Sequence, residues 1–297
     1  MHEVEEKDDY IVVDGHKIRR TKPAEEEQPQ NADQKNTQGA PAREPANEHS
    51  HIGRVIGVVS GKGGVGKSFV TAAAAVMLNR RGLRTAILDA DITGPSIPRM
   101  FGISRGGGAD AASETEILPG TTGTGIKLMS LNLLMPNETD PVIWRGPVIA
   151  GVVKQFWKDV RWGDIDVMLV DMPPGTGDVP LTVFQSLPVD GIVVVSTPQE
   201  LVSMIVEKAI NMAQLMEIPV IGLVENMSYL TCPHCGEPIY LFGDEHDAGA
   251  IRRGIDIVAR LPMNPGFAQI ADQGRIEELQ TADFDVLVEK LDVLVRA

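Results

Sequence analysis

The stretch "VIGVVSGKGGVGKS", from Val55 to Ser68, decides how this chain folds. It consists of a short aliphatic run, a loop rich in glycine and the beginning of a helix. Gly61 and the triplet Gly66-Lys67-Ser68 satisfy the spacing G-x-x-x-x-G-K-S. Small residues let backbone N–H groups turn toward one anion, and a helix N-terminus adds favourable partial charge. The stretch therefore predicts a phosphate-binding loop between a strand and a helix.

Each part of this loop has a predicted role in binding ATP. The Lys67 ammonium is expected to contact the β- and γ-phosphates, and the Ser68 hydroxyl is expected to ligate Mg²⁺. The backbone that surrounds the phosphates is predicted to come from Gly61, Lys62, Gly63, Gly64, Val65 and Gly66. The loop thus predicts a protein that binds ATP together with Mg²⁺.

Carboxylates follow two of the other aliphatic runs. Asp89 and Asp91 lie in "AILDADITGPS", and Asp171 lies in "VMLVDMPPGTGD". Ligands of open α/β sheets bind at the carboxyl ends of the strands, so these side chains are predicted to share one site with the loop. Asp171 matches the Walker B pattern, in which an aspartate holds Mg²⁺ through water, and the Gly175 N–H is predicted to contact the γ-phosphate. A single aspartate at a strand end is often only a turn or cap residue, so the prediction depends on the whole set.

The pattern of the whole chain predicts one α/β domain over residues 52–297 after a polar tail over residues 1–51. Aliphatic runs separated by segments of helical length are typical of a mostly parallel sheet covered by helices, a three-layer P-loop NTPase. The runs are "VIGVVS", "TAILDAD", "IKLMSLNLL", "VMLVDMP", "GIVVVSTP", "VIGLVENM" and "DIVARLP", and the helices include 67–81, 201–216 and 281–296. Residues 21–50 lack aromatic, sulfur-containing and branched aliphatic side chains, which predicts disorder. Residues 10–18, "YIVVDGHKI", are compatible with a short hairpin.

Composition argues against several classes of partner. The 41 acidic and 27 basic residues give a net charge of −14, which disfavours nonspecific binding to nucleic acid or to an anionic membrane. The sequence contains no apolar run near the length of a membrane span and no signal-peptide pattern. Only two cysteines are present, as expected for a reducing compartment. We therefore predict a cytoplasmic protein that binds neither nucleic acid nor membrane.

The two cysteines, Cys232 and Cys235, form a C-x-x-C motif within "SYLTCPHCGEPIYLFG". Three chemistries compete for it: a redox dithiol, a zinc knuckle and a pair of iron–sulfur ligands. The redox motif normally begins a helix beside a βαβ unit and has no use for a phosphate loop. Structural zinc and cubane clusters both need four ligands, and this chain supplies two sulfurs. A two-fold axis through the motif would bring four cysteines together, which predicts a homodimer.

The segment "KGGVGKS" resembles the deviant P-loop of the group that contains the nitrogenase iron protein, MinD and ParA. In that group the early lysine, which corresponds to Lys62, reaches the nucleotide phosphates of the partner subunit and compensates charge as an arginine finger does. The resemblance also implies that Asp91 orients the attacking water and that Asp89 supports the Mg²⁺ region. Lys62, Lys67 and Asp91 are thus the predicted catalytic residues of an ATPase.

The order of motifs, "SGKGGVGKS", "LDADITGPSIP", "LVDMPPGTGD" and "VENMSYLTCPHCG", is similar to that of the Mrp/ApbC-type ATP-binding iron–sulfur cluster carriers. The resemblance extends from Val55 to Ala297. It implies a slowly hydrolysing homodimer that holds a bridging [4Fe–4S] cluster, receives it from a donor and passes it to apo-proteins. It also implies that Asn226 contacts adenine. Two alternatives stay open: a MinD/ParA-like positioning ATPase, and an ATPase with a structural zinc bridging the dimer.

Overall fold

The computed structural model describes residues 6–7, 10–13, 16–19, 45–91, 94, 96–103, 116–134, 146–175, 177–198, 200–242 and 254–297. Its strands are β1 (Glu6–Lys7), β2 (Tyr10–Val13), β3 (His16–Arg19), β4 (Ser50–Ser60), β5 (Thr85–Asp89), β6 (Gly120–Thr121), β7 (Lys127–Met129), β8 (Gly163–Asp171), β9 (Gly191–Ser196), β10 (Val220–Thr231), β11 (Pro238–Ile239) and β12 (Ile257–Pro262). Its helices are α1 (Lys67–Arg80), α2 (Ile97–Met100), α3 (Gly146–Asp159), α4 (Asp178–Ser186), α5 (Glu200–Leu215), α6 (Pro265–Asp272) and α7 (Asp285–Arg296). Short 3₁₀ helices cover Leu131–Leu133 and Ile276–Glu278.

Strands β4 to β12 form one sheet in the order β11-β10-β9-β4-β8-β5-β7-β6, and β12 also pairs with β10. Strand β4 lies between β8 and β9, and both pairings are parallel. The antiparallel pairings of the described sheet are β6 with β7 and β10 with β11. The carboxyl ends of β4, β5 and β8 therefore meet at one edge, where the phosphate loop begins.

Helices cover both faces of the sheet because alternate strand residues point to opposite sides. In β4, Ile56 and Val58 pack in the core beneath α1 and α7, whereas Val55 and Val59 pack in the core beneath α3, α4 and α5. Every residue of β5 and β9 is buried, as expected for parallel strands between two layers. The predicted three-layer, mostly parallel α/β fold is confirmed.

Two elements differ in detail from the sequence prediction. The run "IKLMSLNLL" was expected to be one strand, but β7 ends at Met129 and a 3₁₀ helix follows. The strand ends there because the Ser130 carbonyl accepts from the Leu133 N–H at 3.1 Å, which begins the 3₁₀ turn. The terminal helix begins at Asp285, later than the predicted residue 281, because the Thr281 hydroxyl and the Asp283 backbone N–H form a local turn.

Strands β1, β2 and β3 form a separate antiparallel sheet in the region where the sequence allowed a hairpin. Strand β4 begins at Ser50, two residues before the predicted domain boundary. Of residues 21–50, whose composition predicts disorder, residues 21–44 lie outside the described part of the chain. The division into tail and domain stays a prediction. None of the described helices has the length and apolar character needed to cross a membrane.

Candidate nucleotide and cysteine sites

The phosphate loop joins the end of β4 to α1 and depends on glycine where the backbone is left-handed. Gly64 and Gly66 have φ values of 80° and 84°, a region that is costly for residues with a Cβ. Gly66 precedes the first residue of α1, and no side chain caps this helix. The first N–H groups of an α-helix have no intrahelical acceptor, so they are available to an anion. The loop lines a cavity of about 260 Å³ together with Asp91, Ser96 and Pro174.

Lys67 and Asp171 form the centre of this site. The buried Lys67 Nζ lies 2.8 Å from Asp171 Oδ1 and 3.5 Å from Asp91 Oδ2. Neither contact has regular hydrogen-bond geometry, but at these distances both are ion pairs. Asp171 also accepts hydrogen bonds from Ser68 Oγ at 2.6 Å and from Thr71 Oγ1 at 2.8 Å. The structure therefore brings the predicted lysine, serine and Walker B aspartate into direct contact.

Negative charge exceeds positive charge around Lys67. Asp89 is fully buried, its Oδ1 accepts from the Asp91 N–H at 3.2 Å, and its pKa is raised well above the ordinary value. Burial is the main cause, and the nearby Asp171 carboxylate adds to it. Three carboxylates thus face one ammonium, and their oxygens are the hard donors that Mg²⁺ prefers. The site fits the predicted Mg²⁺, with Ser68 and Asp171 as the residues that would hold it.

Asn226 has a contact that the sequence did not indicate. Its Nδ2 donates to the carbonyl oxygen of Val65 at 2.8 Å, and its Oδ1 accepts from the Met227 N–H at 2.9 Å. The side chain is buried and braces the phosphate loop from strand β10. Met227 has a φ of 55°, which is uncommon for a residue other than glycine. The predicted adenine contact of Asn226 stays a prediction beside this observed bond.

Two other predicted residues have backbone contacts within the loop region. The Gly175 N–H donates to the Ser60 carbonyl at 2.9 Å, so its predicted γ-phosphate contact requires this bond to break. The Ser60 hydroxyl donates to the Lys62 carbonyl at 3.0 Å, and Lys62 is half-buried. The contact of Lys62 with the nucleotide phosphates of a partner subunit stays a prediction.

Thr71 and Ser130 belong to the site but were not predicted. Thr71 lies one helical turn after Lys67, so the i, i+4 spacing alone places both on one face of α1. Ser130 follows β7, which pairs with β5, and this adjacency places its hydroxyl beside Asp89. The spacing of Thr71 was a usable signal, whereas the position of Ser130 required the strand order.

The cysteines lie in a turn at the end of β10, in which Cys232 is half-buried and residues 233–237 are exposed. Strand β10 continues into the turn, and β11 returns antiparallel with Leu230 opposite Ile239. The Cys232 N–H donates to the Glu237 carbonyl and the Gly236 N–H donates to the Cys232 carbonyl, each at 2.9 Å. Both thiols are free, and Cys235 is exposed.

This turn favours the thiolate form of Cys232. The pKa of Cys232 is lowered, chiefly by hydrogen bonds from the backbone N–H groups of Cys235 and His234. Thiolates are the form that binds metals. The turn begins no helix, so it lacks the geometry of the redox dithiol motif. Among the described residues, no group of three or more His, Cys, Asp or Glu side chains is placed to hold a metal ion. The described part of one chain therefore supplies two ligands at most in this turn.

Comparison with known proteins agrees with this geometry. Residues 51–294 match the family model described as ParA, NUBPL iron-transfer P-loop NTPase. A protein named iron-sulfur cluster carrier protein from Clostridium perfringens is 46% identical over 239 residues, covering 77% of this chain and 83% of that protein.

Solved structures show the same fold. A nucleotide-binding protein from Archaeoglobus fulgidus in complex with ADP aligns with a TM-score of 0.69 and 44% identity, covering 79% of this chain and 91% of that one. The cell division ATPase MinD from Pyrococcus furiosus aligns with a TM-score of 0.55 and 19% identity, covering 82% and 99% of the two chains. At 19% identity, the likeness to MinD supports the fold alone.

Proposed function

The chain belongs to the ParA-type family of NUBPL iron-transfer P-loop NTPases, and from this premise we propose that it is an ATP-binding homodimeric carrier of [4Fe–4S] clusters. The observation that carries the proposal is the exposed turn of Cys232 and Cys235 at the end of β10, the strand that also braces the phosphate loop through Asn226. In this proposal two turns, one from each subunit, supply the four thiolates of a cubane. The cluster is the cargo, received from a donor and delivered to apo-proteins.

Hydrolysis of ATP is the slower activity of the proposed carrier. The oxygen of a water oriented by Asp91 forms a bond to the γ-phosphorus, the bond from that phosphorus to the β–γ bridging oxygen breaks so that ADP leaves, and the proton of the water passes to the released phosphate. Lys67 of the same subunit and Lys62 of the other stabilise the charge on the phosphates. Bound Mg²⁺ adds further charge compensation. The relatives' names support the cargo, and the contacts of Lys67, Ser68 and Asp171 support the nucleotide.

Anaerobic reconstitution with ferrous iron and sulfide tests the cargo. We expect about four irons per dimer, with the broad visible absorbance of a cluster, and loss of both in Cys232→Ala and Cys235→Ala. His234→Ala, in the same turn, is the matched control and should keep the cluster. A Cys232→Ala protein that still takes up a full cubane would refute the assignment, and a colourless protein that contains zinc would favour the structural-zinc alternative.

A mixture of two inactive variants tests whether Lys62 acts in the partner site. Lys62→Ala keeps an intact loop but donates no lysine, and Lys67→Ala donates Lys62 but has a defective loop. Each homodimer should hydrolyse ATP at a small fraction of the wild-type rate. Mixed dimers contain one complete site, so the mixture should recover part of the rate. No recovery in mixed dimers of verified composition would show that Lys62 does not act in trans.

A further inference from the structure

Four consecutive large apolar residues are exposed directly after the cysteine turn. The exposed fractions of Ile239, Tyr240, Leu241 and Phe242 are 45%, 41%, 54% and 49%. Isolated exposed apolar side chains are common, but an uninterrupted run of this kind usually marks an interaction site. We call residues 239–242 the apolar segment. The nucleotide site does not use it.

The apolar segment is held close to the thiols. Ile239 lies opposite Leu230 in the β10–β11 pairing. Leu230 is in turn two residues before Cys232 along the chain. The ring of Tyr240 packs on that of Tyr229, with 6.1 Å between the ring centres. The segment and the cysteine turn therefore belong to one hairpin and face any macromolecule that approaches the thiols.

Charge distinguishes this hairpin from the rest of the chain. Glu237 is the only Asp, Glu, Lys or Arg between Tyr229 and Phe242, although the whole chain carries a net charge of −14 with histidines counted as neutral. In a two-fold symmetric contact each patch meets its own copy, so acidic patches repel one another and apolar patches can pack. The hairpin is thus a surface on which self-association costs little electrostatic energy.

We propose that the apolar segment is the contact surface for a second copy of this chain, placed around the two-fold axis that passes between the cysteine turns. This inference rests on the proposed function, because a four-thiolate site is incomplete without the partner's two cysteines. Two turns that share one cluster necessarily bring the neighbouring segments together. Packing of the two apolar segments excludes water from the rim of the thiolate site and stabilises the dimer.

Leu241→Asp tests the contact, because it would place two carboxylates near the axis. Leu215→Asp is the matched control: Leu215 is 85% exposed at the end of α5, before the start of β10 and therefore at the opposite edge of the sheet. After anaerobic reconstitution, sedimentation equilibrium should show that Leu241→Asp raises the dimer dissociation constant at least tenfold, while Leu215→Asp changes it less than twofold. Phe242→Ser, which adds no charge, should show a smaller increase in the same direction.

The outcomes separate this inference from the proposed function. Wild-type protein that dimerises but takes up no iron would refute the proposed cluster binding. The dissociation constant of Leu241→Asp dimers would in that case still decide whether the apolar segment is the dimer contact. Cluster-loaded dimers whose dissociation constant is unchanged in both Leu241→Asp and Phe242→Ser would overturn the contact alone. The dimer contact would also be overturned if Leu241→Asp dimers stayed intact but delivered clusters more slowly to an apo-ferredoxin. The apolar segment would then bind the proteins that receive the cluster. A strictly monomeric wild type would overturn the contact as well.

Discussion

The phosphate loop and the cysteine turn differ in how much of each site one chain provides. Around the loop, Lys67, Ser68 and Thr71 all contact Asp171, and the group is largely buried. Around the turn, hydrogen bonds join backbone groups to one another and to the Cys232 thiol, and neither cysteine is in a disulfide. A buried ionic network is maintained by the fold that surrounds it, whereas an exposed turn can lose and gain ligands without disturbing the core. The difference fits the proposed roles, a nucleotide site built into the fold and a surface turn for a cargo that leaves.

Removing the Asp171 side chain should have the largest effect on stability, because it disrupts the buried network at the phosphate loop. Asp171→Ala leaves the buried Lys67 ammonium without its nearest partner, so we expect the free energy of unfolding to fall by about 3–5 kcal/mol. Denaturant titration of the wild-type and Asp171→Ala proteins, both without nucleotide, measures this change in unfolding free energy. Asp166→Ala is the control, because Asp166 pairs with the exposed Arg84 and should cost about 1 kcal/mol or less. Equal losses in the two variants would contradict the importance of the buried network.

Gly66→Ala tests how tightly Asn226 and the loop fit together. A Cβ at Gly66 would lie 2.1 Å from Asn226 Nδ2 and would occupy a left-handed backbone. The amide is held by Val65, so it cannot move away cheaply, and we expect a loss of about 2 kcal/mol or more in unfolding free energy. Gly63→Ala has open space around its Cβ and should change stability little. A stable Gly66→Ala protein would show that Asn226 is not held in place.

The raised pKa of Asp89 predicts a pH dependence of stability at the phosphate site. Because the folded protein binds this proton more tightly than the unfolded chain, stability falls as pH rises between the ordinary aspartate pKa and the raised one, by at most about 1.4 kcal/mol per pH unit. Asp89→Asn keeps an acceptor for Ser130 and should remove this fall. Denaturant unfolding of the wild-type and Asp89→Asn proteins across that pH range measures the fall in stability. Parallel stability curves would contradict the prediction.

The smallest effect is expected at the turn itself. Cys232→Ser should change the free energy of unfolding by less than about 0.5 kcal/mol and leave nucleotide affinity unchanged, since the half-buried thiol lies in a surface turn outside the core and the substitution is nearly isosteric. Thermal unfolding and a nucleotide titration without iron test this. A loss above about 1 kcal/mol would show that the turn has a structural role in the single chain, and the contrast with the phosphate loop would be weaker.

The sequence predicted contacts that depend on local spacing better than contacts that depend on strand order. The loop pattern predicted the neighbourhood of Lys67, Ser68 and Asp171 because strand ends of a parallel sheet meet at one edge. The bond from Asn226 to Val65 joins residues 161 positions apart and depends on the left-handed turn at Met227. Local patterns do not encode that turn, since residues other than glycine seldom adopt it.

Strand β10 extends from Val220 through Asn226 to Thr231, immediately before the first thiol, and its pairing with β12 is irregular between Glu225 and Tyr229. At about 3.3 Å per residue, the five steps from Asn226 to Thr231 span about 17 Å. The bond from Asn226 to the phosphate loop and the cysteine turn thus lie at two ends of one short strand segment, with the left-handed residue Met227 between them. A displacement of Asn226 in the proposed carrier would therefore have only five residues of strand to cross before the cysteine turn, with no second element between.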